Sequence, residues 1–394
     1  MKILVFDFEI TGHHPEYLEH LVNYIKEEKN TGKNYYFVVH PDFCTKFPHI
    51  VQKVPAPKIN FIAISNNELN ILNKLKGNNT QYWDPFKIHD LLLKYAKIIN
   101  PSICIIMYFN RLCKPLIWNK PNFDIRGILF SPVIHPPVKN NFVSILKFAK
   151  LRIIRFLYTR NKKIKKIFVL NDIYGAINLN KQIGKEVFFY LPDPIPVIEE
   201  EANFDIRKRF EIGRDRKILL HFGSLRESKG TIELIQALNL MSDEIASKCC
   251  LVIAGTPLNT QMETKVNDAV NNVKKVQIVY VNEFISNLKM KSFFNQCNMV
   301  VMPYKNALAS SGVIGHAIIA GKPVISTQQG LIGEIIRTYW KGELIDRIEP
   351  EKIAKAIERS FFTVYPEIDT KNFIEEHTPF NFAKILLEDV QKFN

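Results

Sequence analysis

Two stretches of this 394-residue chain carry residue types suited to holding a diphosphate. In GSLRESKG (223–230), Gly223 allows a tight turn, and Arg226 and Lys229 bring charge and donors to a loop between an apolar run and a helix-like segment. In ALASSGVIGHAIIAGKPVIST (307–327), Ser310, Ser311 and Gly312 stand at a helix start. There hydroxyls and backbone N–H groups can receive an anion at the positive end of the helix. His316 lies one turn further in. Taken singly, each feature has an ordinary reading: a loop with two solvated cations, an N-cap, and a core histidine.

Other chemistries are poorly supplied. The cysteines, Cys44, Cys104, Cys113, Cys249, Cys250 and Cys297, form no CxxC pair and no zinc spacing with histidine. Reduced, packed thiols are expected. No Asp-x-Asp pair occurs, so a metal-held diphosphate is not indicated, and fixed cations with helix dipoles would have to stabilise a leaving group.

These loops need elements to position them. KILLHF (217–222), CCLVIAG (249–255), VQIVYV (276–281), NMVVMPY (298–304) and KPVIST (322–327) are short apolar runs alternating with helical segments. That alternation predicts an α/β domain with a parallel, doubly wound, Rossmann-like sheet. The first half alternates similarly through MKILVFDF, YYFVVH, ICIIMYF, GILF and KIFVL. FFYLPDPIPVIEEEANFD (188–205), with three prolines and an acidic run, reads as a linker. The expected organisation is a domain over 1–190, a second over 191–375, and a terminal helix in 376–394 that returns to the first. Two such domains facing each other would leave a cleft, where a small-molecule site is expected.

Composition is ordinary for a globular protein, but the charge is not: 53 Lys and Arg against 39 Asp and Glu give +14. Eleven of those cations, and no acid, lie between Arg126 and Asn171; without them the chain carries +3. Within this segment Phe142, Ile145, Leu146, Ala149, Ile153, Phe156 and Leu157 recur at helical spacing, with Lys147, Lys150 and Arg155 mostly opposite. Residues 142–166 therefore suit an anionic membrane surface. The alternative is a helix whose apolar face packs on the domain. A nucleic-acid partner is not expected, since no binding module is present. The amino terminus has too short an apolar run for a signal sequence, and no run is long enough to span a bilayer. The expectation is a cytoplasmic protein, peripheral on the inner face of the membrane.

KILLHFGSLRESKG, LVIAG, VVMPY and HAIIAGKPVIST, in that order and spacing, resemble the C-terminal domain of GT-B-fold glycosyltransferases. The group in question is the large retaining family that uses nucleotide sugars. The resemblance runs from about Lys217 to Ser360 and implies a UDP- or GDP-linked sugar as co-substrate, with no cofactor. It implies that Arg226 and Lys229 bind the donor diphosphate and that Ser310, Ser311, Gly312 and Val313 face the sugar and phosphate. It also implies that the loop at Glu283–Ile285, with Phe284, holds the base. Two glutamates usual in the family fall on Leu308 and His316, and His316 would then bond a ribose hydroxyl. In the first half, Gly12, His13 and His14 resemble the glycine loop over the donor phosphates, with His14 near the acceptor. His135 matches a histidine placed near the donor sugar, and His135 and His14 are the catalytic residues that the resemblance implies. The implied activity is transfer of a hexose to a glycan or lipid-linked acceptor in surface polysaccharide assembly. A nucleotide-sugar epimerase of the same architecture and a catalytically silent nucleotide-sugar binder are the alternatives.

Overall fold

The computed structural model describes residues 1–28, 32–52, 58–74, 83–130, 142–196, 201–305 and 311–388. They form two compact units: Met1–Pro194 with Glu376–Asn394, and Ile195–Glu375.

The first unit holds seven parallel strands: β1 (Lys2–Phe6), β2 (Asn34–Val39), β3 (Ile59–Ala63), β4 (Ile103–Ile106), β5 (Asp124–Leu129), β6 (Ile164–Leu170) and β7 (Phe188–Leu191). Their order is β3-β2-β1-β4-β5-β6-β7, with Ile3 beside both Tyr35 and Ile103. The chain thus winds one way from β1 and then the other way from β4. The crevice between those two strands is the switch point, where open α/β sheets bind ligands beyond the strands' carboxyl ends.

The second unit holds six: β8 (Lys217–Phe222), β9 (Cys249–Ala254), β10 (Gln277–Val281), β11 (Met299–Met302), β12 (Val324–Thr327) and β13 (Gly342–Ile345). Their order, β10-β9-β8-β11-β12-β13, puts the switch point between β8 and β11. All of β9, CCLVIA, is buried, as an unbroken apolar run in a sheet covered on both faces must be. At the edge, every residue of β10 is half-buried.

The helix Pro379–Leu387 belongs to the first unit, where it packs on the helix His14–Glu27. Phe382 is fully buried with its ring 4.8 Å from that of Tyr17, and burying such a side chain contributes roughly 1.5–3 kcal/mol. Arg126, buried in β5, donates to the carbonyls of Leu386 and Glu388, satisfying the helix's carboxyl end.

Three strands were not apparent in the sequence. INFIA forms β3, FFYL of the expected linker closes the first sheet as β7, and GELI forms β13. The basic segment also differs from expectation in detail. Arg126 and Arg155 are buried rather than solvated, so two of the eleven cations lie inside the fold.

Among the described residues no helix is long and apolar enough to cross a membrane, and no group of histidine, cysteine or acidic residues could hold a metal. The cysteines are free, with Cys104, Cys249, Cys250 and Cys297 buried. Burial raises the Cys104 and Cys297 thiols, the latter to about 12, so both remain protonated packing groups.

Candidate active site

In the second unit the two diphosphate-suited loops meet at the switch point. Gly223 follows β8 directly with a φ of +105°, open to glycine alone, and its N–H donates to the Ala254 carbonyl at 2.9 Å. The loop is then stitched to the one after β9: Leu225 N–H donates to Thr256 and Leu258 N–H to Leu225, both at 2.9 Å. On the other side it meets the end of β11. Lys305 N–H donates to the Ser228 carbonyl at 2.9 Å, and Gly230, at φ +67°, passes the Pro303 carbonyl so closely that a Cβ would lie 2.1 Å from it. A Cβ on Gly223 would meet the Val313 side chain at 3.9 Å, which puts the start of the helix Gly312–Ile319 beside the same turn.

The two cations stand on this frame. Arg226 is exposed, with its Nε donating to Ser224 Oγ at 3.3 Å. The Lys229 Nζ lies 3.7 Å from the centre of the Tyr304 ring. Burial, and then the positive charge of Arg226, depress the Lys229 ammonium to about 8. An anionic group between these two cations relieves both effects. Burial also drives the Tyr304 phenol far above its ordinary range, with Ser311 alongside opposing the shift.

Ser311 is the N-cap of the helix Gly312–Ile319, yet its side chain caps no N–H. Space around Gly312 is open, and the first N–H groups of a helix have no partner within it. His316 is half-buried, its ring 5.5 Å from Phe294. Phe284, in the loop between β10 and the helix Asn287–Gln296, is 86% exposed. A bare aromatic face at this position suits stacking on a nucleobase. Ser310 and Leu308 lie outside the described residues, as does His135.

His221 and Thr231 escaped the sequence reading. His221 is buried in β8; its Nδ1–H donates to the Val301 carbonyl at 2.9 Å and its Nε2 accepts from Thr231 Oγ1 at 2.9 Å. It ties β8, β11 and the helix Thr231–Leu238 together under the cationic loop. Burial, only partly offset by the Val301 bond, lowers it to about 4, so it is neutral.

In the first unit a second cluster sits at the β1/β4 switch point. Gly12 adopts φ +65° in the loop after β1, where the chain turns into the helix His14–Glu27. His14 Nδ1 is 2.7 Å from Oδ2 of buried Asp7, and its ring rests on Phe130 at 6.1 Å and against Tyr108 at 5.8 Å. Desolvation pulls the imidazole down, but the charge and hydrogen bond of Asp7 and the charge of Glu9 outweigh it, so its pKa is raised. Asp7 thereby fixes one ring nitrogen and leaves Nε2 as the atom able to act. Beside it, Arg111 pairs with Glu9 and lies between Tyr108 and Trp83, 4.6 and 4.7 Å from their ring centres. His13 is mostly exposed, and the bond to Glu16 raises its pKa. Asp7, Tyr108 and Phe130 were missed; the signal available was an acid and two aromatics at the carboxyl ends of three predicted strands.

Residues 203–361, most of the second unit, match the family described as Glycosyl transferases group 1. A lipopolysaccharide 1,2-N-acetylglucosaminetransferase of Salmonella typhimurium is 26% identical over 138 residues, 34% of this chain and 35% of the relative. An uncharacterised glycosyltransferase of Methanocaldococcus jannaschii is 27% identical over 162 residues, 41% of this chain and 39% of the relative. The chain thus matches little more than a third of the length of these curated relatives. Solved structures extend the likeness to both units. Anabaena HepE, in complex with UDP and glucose, aligns over 98% of this chain and 94% of its own at 14% identity and a TM-score of 0.58. WaaG, a glycosyltransferase involved in lipopolysaccharide biosynthesis, aligns over 99% and 96% at 13% identity and a TM-score of 0.56. The sucrose-phosphate synthase of Thermosynechococcus elongatus aligns over 98% and 94% at 14% and 0.61. The chain has the two-Rossmann GT-B fold, and its second unit bears the sequence likeness to group 1 glycosyltransferases.

Proposed function

We propose that this protein is a glycosyltransferase that moves a hexose from a UDP- or GDP-linked donor to a glycan or lipid-linked acceptor in surface polysaccharide assembly. The observation that carries the reading is the convergence of Arg226, Lys229 and the start of the helix Gly312–Ile319 on the switch point of the second sheet. Transfer breaks the bond between the sugar C1 and the diphosphate oxygen, and the leaving oxygen gains negative charge. Lys229 and Arg226 stabilise that charge, and the backbone donors at Gly312 and Val313 add the helix's positive end. No metal is required for this account of the leaving group. Phe284 stacks on the base, and His316 bonds a ribose hydroxyl.

Within the first unit, the Asp7–His14 pair presents Nε2 as an atom able to take a proton from an acceptor hydroxyl, with Asp7 stabilising the imidazolium that results. The likeness of the matched segment to a lipopolysaccharide N-acetylglucosaminetransferase supports a surface-glycan acceptor. A second reading is a silent nucleotide-sugar binder, favoured by Leu308 and His316 standing where the family has glutamates. No observation favours the epimerase alternative.

The test is release of nucleoside diphosphate from a panel of UDP- and GDP-sugars, with lipid-linked oligosaccharide as acceptor. At least one donor should turn over, and Arg226→Ala with Lys229→Ala should abolish it. Tight nucleotide binding without turnover of any donor establishes the silent binder instead. Sugar interconversion without acceptor establishes the epimerase.

A further inference from the structure

The helix Phe142–Thr159 is mounted opposite to the way a soluble helix is mounted. At about 100° per residue, Ile145, Leu146, Ala149, Ile153, Phe156 and Leu157 share one arc of about 120°. Packed into a domain, that arc would be its buried face. Here it is the bare one: the five large side chains are 39–59% exposed. The helix is held by its other side and its last turns. Arg155 and Tyr158 are buried, Arg155 donating to Gln182 Oε1 at 3.3 Å and the Tyr158 ring meeting Phe109 at 5.5 Å.

The charge around the arc is one-sided. Lys150 and Arg152, both exposed, project about 20° outside either edge of it. Arg160 lays its guanidinium 4.3 Å from the centre of the Phe156 ring, and Lys162 is exposed just beyond, while Lys165 pairs with Asp124 at 3.8 Å. No acid lies between Arg126 and Asn171. An apolar stripe bordered by cations on long stems matches a bilayer surface: the stripe enters the acyl boundary while the stems reach back to phosphate headgroups.

We propose that the helix Phe142–Thr159 is an interfacial anchor that docks the first unit on an anionic lipid bilayer. This goes beyond the glycosyltransferase reading and holds whatever reaction the switch points support. A protein partner would have to bring an acidic rim to meet the same cations; a leaflet rich in phosphatidylglycerol supplies one continuously.

The experiment is sedimentation of the full chain with vesicles of phosphatidylcholine alone, or of phosphatidylcholine mixed with phosphatidylglycerol. Wild type should sediment with the mixed vesicles, and less so as salt rises. Ile153→Ser with Phe156→Ser should weaken the partition by at least about tenfold at any salt. Lys150→Gln with Arg152→Gln should weaken it by roughly tenfold at low salt and flatten the salt dependence. Ile98→Ser, an exposed isoleucine on the helix Pro85–Ile99, should behave as wild type. All the replaced side chains are exposed, and matched thermal unfolding confirms that the variants fold. The proposal is overturned if wild type fails to sediment with anionic vesicles at low salt. It is also overturned if Ile153→Ser with Phe156→Ser sediments like wild type. A wild-type dimer dispersed by that same variant would make the face a contact between copies, and would overturn it equally.

Discussion

Replacing Lys229 by alanine probes the diphosphate site at its most exposed assumption, that a desolvated cation waits there for an anion. A hydrogen bond to a charged group contributes about 1.5–3 kcal/mol, and every 1.4 kcal/mol is about tenfold in affinity. UDP should therefore bind roughly 10- to 150-fold more weakly to Lys229→Ala. The half-buried position over Tyr304 argues for the upper part of that range. The pH dependence is a second signature. Because the ammonium is depressed to about 8, its charge is present below that pH and lost above it. Wild-type affinity for UDP should then hold near neutrality and fall by up to about tenfold per pH unit above the transition. Lys229→Ala should show no such fall, and Lys229→Arg should keep affinity at high pH, since a guanidinium does not deprotonate there. Calorimetric titration of UDP into the three proteins reads both effects. A Lys229→Ala dissociation constant within about twofold of wild type, or a flat wild-type profile from about pH 7 to about pH 9, would falsify the role given to Lys229.

Three further outcomes are expected. Asp7→Asn and His14→Ala should each lower kcat by about a hundredfold or more while UDP affinity stays put; a matching rise in KM alone would remove the pair from proton transfer. Phe284→Ala should weaken UDP by roughly fivefold or more, with inorganic pyrophosphate and the melting temperature unaffected, and equal losses for both ligands would rule out base stacking. His221 is neutral when folded and lowered to about 4, against about 6.5 unfolded, so folding loses stability as pH falls between those values. That loss amounts to roughly 3 kcal/mol across the window. Denaturant unfolding should show it in wild type and show a flatter profile in His221→Gln.

The second unit was nearly all legible because its strands are continuous apolar runs. CCLVIA has no polar residue to obscure it, and Gly223 and Gly230 mark the turns that carry the cations. The first unit was harder for a physical reason. INFIA and FFYL lie toward the sheet's edges, where several of their residues are only half-buried, so their patterns merge with neighbouring loops. FFYL also runs straight into Pro192, so its pattern merges with the proline-rich stretch that follows. Amphipathic spacing located the helix Phe142–Thr159 but could not say which face the fold would cover; that choice is made by Arg155 and Tyr158, which only tertiary contacts reveal. Of the candidate site residues, Arg226 and Lys229 stood out as charge beside glycine after a strand, a pattern that a loop with solvated cations shares. Asp7 was hidden inside MKILVFDF, because a partner seven residues away, His14, follows no fixed spacing across a loop.

Amide hydrogen exchange of the whole chain, with and without UDP, tests most directly whether one diphosphate is gripped by both loops of the second unit. Slowed exchange should appear together in 223–230 and in 311–316, and it should vanish from both in Arg226→Ala with Lys229→Ala. Protection confined to one of those segments, or found only elsewhere in the chain, would contradict the account.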